Sequence, residues 1–199
     1  MSKNIFFDRK SIKIAPKKPK TMVFQIYLCC KYISSDDNAD YGAWSSLIVQ
    51  QPQDSFSKND TSQTFMISGV ESSNNHIRIR LIGVIESLNW VTAKIDPSNY
   101  SSVDLIFITN DIFISNLLRE WIPKWKKNNF KISNDSENKR PHSDLLEQIA
   151  SISTNINLNV NWQANETYEM STLSNKVDEL LRNKQLKDNT NKTNNEEVP

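Results

Sequence analysis

Apolar positions along the chain come in short runs whose spacing changes from strand-like to helix-like and back. Met22–Cys30 is rich in β-branched and aromatic residues and predicts a buried strand. Tyr41–Val49 predicts a second strand and Thr64–Gly69 a third, with the polar stretch 50–61 between them as a hairpin tip. Ser72, Ser73, Asn74 and Asn75 offer capping side chains. From Ile77 to Trp90 the apolar residues Ile77, Leu81, Val84, Ile85 and Leu88 then recur at helical spacing. Val103–Thr109 reads as a short strand, followed by a helix from about Asp111 to Trp125, a polar loop from Asn128 to Pro141, and a helix starting near Ser143. Ile156, Leu158, Val160 and Trp162 alternate as in a strand, and Ser171–Arg182 carries Leu173, Val177, Leu180 and Leu181 on one helical face. The polar, Asn-rich residues 183–199 are expected to form a disordered tail.

Three opening strands are most simply an antiparallel meander, and the later strand–helix–strand steps imply parallel additions with right-handed crossovers. The expected architecture is α/β: a five-stranded mixed sheet, three-strand meander plus parallel additions, with helices on both faces. One domain over 22–182 fits a 199-residue chain with 37% apolar content.

Charge matters through its distribution, because 24 Lys+Arg balance 23 Asp+Glu. Lys3, Arg9, Lys10, Lys13, Lys17, Lys18 and Lys20 face only Asp8 in residues 1–21, which are expected to be a disordered basic arm. The Ala15–Lys20 stretch APKKPK resists helix. Such an arm is either a solvated tail or an electrostatic contact for phosphate. Cys29 and Cys30 are adjacent and would point to opposite faces of a strand, so no disulfide framework is expected, and zinc-ligand spacings are absent. The apolar run at Met22–Cys30 is too short to span a bilayer and the opening Met-Ser-Lys-Asn does not read as a signal peptide. The expectation is a soluble intracellular protein with no membrane association.

Particular residues then make the pattern specific. Phe24-Gln25-Ile26-Tyr27 and Tyr41-Gly42-Ala43 look like the first two strands of ribonuclease H, and Ser73-Asn74-Asn75 resembles that family's T-N-N-R-x-E junction. Ile108-Thr109-Asn110-Asp111, followed by Glu120-Trp121-Ile122-Pro123-Lys124-Trp125-Lys126-Lys127, resembles its T-D-S strand end and W-I-x-x-W-K-K helix. Asp144-Leu145-Leu146 and Val177-Asp178-Glu179-Leu180 are similar to later helices, the second to the closing A-D-x-L-A. The chain thus resembles the type 1 ribonuclease H family over about residues 22–182.

That resemblance implies cleavage of the RNA strand of an RNA–DNA hybrid by two magnesium ions held on four carboxylates, since hard divalent cations need anionic oxygen ligands. The four positions fall on Cys29, Arg78, Asn110 and Asp178, and only Asp178 is an acid. Slips of register bring in Leu28, Cys30, His76, Ile77 or Ile79, none of them acidic. Glu166 stands about where the family has a histidine. A cation such as Arg78 at ~4 Å from a metal would oppose it by roughly 4 kcal/mol per unit charge at an effective dielectric near 20. The resemblance therefore implies a degenerate member with three of four carboxylates absent and neither cofactor nor metal, Asp178 being either a lone catalytic remnant or a local structural acid.

The family's hybrid-binding ridge has counterparts in Trp121 and Trp125, four residues apart on one helical face, and in the cations Lys124, Lys126, Lys127, Lys131, Lys139 and Arg140. Each tryptophan is equally readable as core, and the lysines as a solvated loop diluted by Asp135 and Glu137. Asn74 and Asn75 are readable as nucleic-acid contacts or as helix caps. The expected function is an inactive ribonuclease H-like protein binding RNA–DNA hybrid or duplex, or serving within a nucleic-acid-handling complex. Two alternatives remain open. One is a structural, partner-binding subunit without nucleic-acid contact. The other is an active hybrid ribonuclease whose Mg2+ site is rearranged around Asp178 with Asp36, Asp37 or Asp111.

Overall fold

A computed structural model describes residues 22–34, 40–51, 62–73, 75–134, 136–154, 156–162 and 167–196. The basic arm expected at 1–21 lies outside them. Five strands form one sheet in the order β3-β2-β1-β4-β5: β1 Met22–Ile33, β2 Tyr41–Gln50, β3 Gln63–Ser72, β4 Val103–Thr109 and β5 Asn157–Trp162. The first three pair antiparallel as a meander, with Cys29 opposite Ser45 and Trp44 opposite Gly69. Strand β4 then pairs parallel to β1, and β5 parallel to β4. This is the mixed sheet that the alternation predicts.

Alternation along β1 divides the molecule into two layers. Phe24, Ile26 and Leu28 join the main core with Ile79, Leu81, Val84, Ile85 and Leu88 of α1 (His76–Thr92). On the other face, Cys29 and Ile33 pack with Tyr41, Ala43, Val177 and Leu181, the last two on α5 (Tyr168–Glu196). Helix α5 is held by a stripe of Met170, Leu173, Val177 and Leu181, all buried, each contributing roughly 1.5–3 kcal/mol of apolar transfer. Trp44 is wedged between two close approaches: a Cβ on Gly69 would meet its indole at 2.8 Å, and one on Gly83 would meet its Cβ at 3.1 Å.

Two elements depart from the sequence reading. The helical run after β4 is not uniform: α2 (Ile112–Asn116) passes into a π turn, Leu117–Trp121, and then into α3 (Ile122–Lys126). Pro123 explains the widening. It has no N–H to give Arg119 and its ring would crowd that carbonyl, so the turn before it opens and Ile122 N–H donates to Leu117 O. The second departure is the tail. Residues from Asn183, expected to be disordered, continue α5 as far as Glu196, helped by the Lys184–Asp188 pair one turn apart at 2.8 Å. Helix α4 (Ser143–Thr154) packs on α1 and completes the first layer. No helix among the described residues is long and apolar enough to cross a membrane.

Candidate nucleic-acid interface

The chain leaves the meander at one edge of the sheet and returns on the far side of β1, so β1 and β4 flank a topological switch point. In open α/β sheets ligands settle beyond the carboxyl ends of the strands at such a point. Lys31 near the end of β1, the first turns of α1, and Asp111 just after β4 all lie there.

Three ion pairs tie these elements together. Lys31 Nζ donates to Asp178 Oδ2 at 2.7 Å, joining β1 to α5. Arg80 Nε donates to Asp111 Oδ2 at 2.6 Å, joining α1 to the start of α2. Arg78 reaches Asp144 of α4 at 3.5 Å. Asp111 has a second task as the N-cap of α2, accepting from the backbone of Phe113 and Ile114. Burial pushes the Cys30 thiol well above its ordinary range; neighbouring Cys29 and the charge of Asp111 add to this, and Arg80 opposes it.

The four positions matched to metal ligands are not gathered into one donor set. Cys29 packs in the apolar layer under α5. Asp178 is on the same side but already bridges to Lys31. Arg78 belongs to α1 on the opposite face and points to α4. Asn110 is exposed at the bend after β4. Among the described residues no group of three or more His, Cys, Asp or Glu side chains is placed to hold a metal ion. Asp36, Asp37 and Glu166 lie outside the described residues. A thiol, a guanidinium, a neutral amide and one neutralised carboxylate do not fit a pair of magnesium ions, which require several anionic oxygens.

The aromatic ridge is assembled. Trp121 and Trp125 stack with ring centroids 5.6 Å apart and planes 25° from parallel, and Phe113 meets Trp121 edge-on at 5.6 Å. A cation flanks each end: Arg140 lies 4.5 Å from the Trp125 ring and Arg80 lies 5.7 Å from Phe113. All three aromatics are half-buried, resting on the core while keeping an edge outside. An apolar hollow of about 170 Å³ adjoins Trp125, Phe113 and Arg140.

Lys124 and Lys127 are exposed beside this ridge. Lys126 is exposed as well, with Nζ donating to Thr154 at 2.6 Å, and Lys139 is paired with Glu147. Lys131 is half-buried in a backbone bridge to Lys139 that closes the loop, whose left-handed residues include Asn129 and Phe130. Of the paired asparagines, Asn75 caps α1, its Oδ1 accepting from Ile77 N–H at 2.8 Å. Asn74 lies outside the described residues. Lys31 and Phe113 were not singled out from sequence, although each had a signal. Lys31 is two residues beyond Cys29 and so shares its face of β1, and Phe113 precedes Trp121 and Trp125 at multiples of four.

No family model matches the chain. A curated relative, ribonuclease H of Francisella philomiragia, is 27% identical over 96 residues, spanning 48% of this chain and 57% of that protein, so the match covers little more than half of the relative. Among solved structures, a type 1 ribonuclease H with the type 2 active-site motif superposes with a TM-score of 0.62 at 12% identity, over 80% of this chain and 72% of the other. The ribonuclease H domain of prototype foamy virus does so with a TM-score of 0.54 at 13% identity, over 80% and 90%. Foamy viral protease–reverse transcriptase bound to RNA/DNA hybrid matches with a TM-score of 0.50 at 14% identity, over 79% of this chain and 20% of that one. Five strands in this order, helices on both faces, and these likenesses give the chain the ribonuclease H-like fold of the type 1 enzymes.

Proposed function

We propose that the protein binds RNA–DNA hybrid or duplex and does not cleave it. The observation that carries this reading is the ladder Arg80–Phe113–Trp121–Trp125–Arg140, half-exposed and bordered by Lys124, Lys126 and Lys127. Flat rings with cations beside them suit stacking on bases or sugars, while flexible lysines neutralise the phosphates on either side. A foamy viral relative in fold was solved with RNA/DNA hybrid and another with double-stranded DNA, which supports nucleic acid as the ligand class. The Lys31–Asp178 pair supports the absence of cleavage, because the one acid left at the matched positions already carries a cation. Anisotropy titrations with a labelled hybrid test it: affinity should fall steeply with salt and survive chelation of divalent ions, and no product should form in Mg2+ or Mn2+. Absence of binding at low salt would refute it.

A further inference from the structure

The hollow of about 170 Å³ beside the aromatic ladder has apolar walls, among them Ile77 of α1, Phe113 of α2, Trp125 of α3 and Leu146 of α4. All four belong to the α1 side of the sheet, where they join or pack on the main core. Arg140 and His142 bring polar groups to the same lining. Ile77, Phe113, Trp125 and His142 are half-buried, so the hollow opens to the surface. An apolar cavity of about 150 Å³ is enough for benzene, so there is room here for one flat ring and none for a base pair.

Two irregularities meet at this lining. Arg140 Nε is buried and has no hydrogen-bond partner among the described residues, although Nη2 donates to Ile132 O at 3.0 Å. A buried donor without an acceptor is costly to keep, and native structures hold few. His142 has φ of 59°, in the left-handed region uncommon for residues other than glycine, and strained backbone of this kind gathers at ligand sites.

We propose that the hollow takes up one unpaired nucleobase of a strand lying along the ladder, with Arg140 donating a hydrogen bond to its edge. This rests on the nucleic-acid reading above and goes beyond it in assigning a site to one base. A phenyl ring from a partner protein would suit the apolar walls, but it brings no acceptor for Arg140, whereas every base carries ring-nitrogen or carbonyl acceptors. The surroundings also favour a polyanion: Arg80 and Arg140 flank the ladder, and Lys124 and Lys127 are exposed beside it. A base still paired in a duplex is held within the stack, so the ligand class is a hybrid or duplex carrying an unpaired nucleotide at its end or in a bulge.

The test compares three labelled RNA–DNA hybrids by anisotropy: blunt, with a short thymidine overhang, and with the same overhang made abasic. The two overhangs carry equal numbers of phosphates, so only the bases differ between them. Wild type should bind the thymidine overhang about 5- to 30-fold more tightly than the abasic one, the scale of one base held against aromatic side chains, and the advantage should persist across a salt series. Ile77→Phe, which grows into the hollow, should bind blunt hybrid like wild type and lose that advantage. Thermal melting confirms that the variant is folded. Should it not be, Arg140→Lys keeps the charge without the guanidinium Nε and should shrink the advantage several-fold. An advantage undiminished in the folded variant overturns the assignment. Equal affinity of wild type for the two overhangs also overturns it, and is the result expected if the occupant is instead an aromatic side chain of a protein. If blunt hybrid binds and Trp125→Ala weakens it while the overhangs tie, the nucleic-acid reading stands and the base site falls. A wild-type protein that binds none of the three at low salt ends both.

Discussion

Trp125 lies stacked on Trp121 with 5.6 Å between centroids, and the guanidinium of Arg140 sits 4.5 Å from the Trp125 ring. If these rings form a platform for nucleic acid, Trp125→Ala should reduce hybrid affinity by about 1–3 kcal/mol, the size found for base–aromatic stacking, with a smaller change in melting temperature. Equal losses in stability and binding would instead assign Trp125 to the core alone. Lys124→Gln and Lys127→Gln should each weaken binding modestly and lower the salt slope.

Asp178→Asn is informative through what it leaves unchanged. Asp178 and Lys31 are each more than a third exposed, so their pair is worth at most about 1 kcal/mol. Incubation of wild type and variant with labelled hybrid in Mg2+ or Mn2+ should yield no product from either. Cleavage by the wild type that disappears in the variant would restore the nuclease reading.

Asp111 serves both Arg80 and the N-terminus of α2, and both groups of that ion pair are less than a third exposed. Replacement by Ala removes a cap worth about 0.5–2 kcal/mol and leaves Arg80 without its carboxylate, so chemical denaturation should show a loss at the upper end of that range or above. Asp111→Asn keeps an accepting oxygen and should recover part of it.

The Cys30 thiol gives a pH dependence. Its ionisation is pushed upward in the folded chain, so folding favours the neutral thiol. That stability is fully present below the unfolded thiol pKa of about 8.5. It declines as pH rises past that value toward the folded one, because the unfolded chain ionises first. Denaturation midpoints for wild type should therefore fall between pH 8 and 10 more than those of Cys30→Ala. At pH 8, native Cys30 should be alkylated far more slowly than in urea.

Gly69→Ala places a methyl within 2.8 Å of the Trp44 indole, whose rigid rings cannot retreat easily between β3 and α1. A loss of roughly 1–3 kcal/mol is expected by urea titration, and Trp44→Phe in the same background should recover some of it.

Most of the fold is legible in the sequence, because period-two and helical spacings report local geometry. Phe24, Ile26 and Leu28 announce β1, and Leu173 with Val177 announces α5. The W-I-x-x-W segment carries the family likeness, yet its π turn is less visible, since Pro123 alone does not say which way a helix will relieve itself. The helix beyond Arg182 was missed because its residues are polar, and composition speaks to the absence of a core rather than of helix. For the site, the absence of acids at Cys29, Arg78 and Asn110 can be read directly. What replaces them cannot, because Lys31 and Asp178 lie far apart in the chain and only the packing of α5 on β1 brings them together.

Helix α5, the last of the described elements, covers β1, β2 and β3, the first three of them. During synthesis the meander can pair as soon as it emerges, but the face carrying Cys29, Ile33, Tyr41 and Ala43 stays bare until α5 has been made. A nascent or prematurely terminated chain would thus present a paired sheet with one sticky side. The order of manufacture makes this face of the sheet dependent on α5 for its cover well before that helix matters to any ligand.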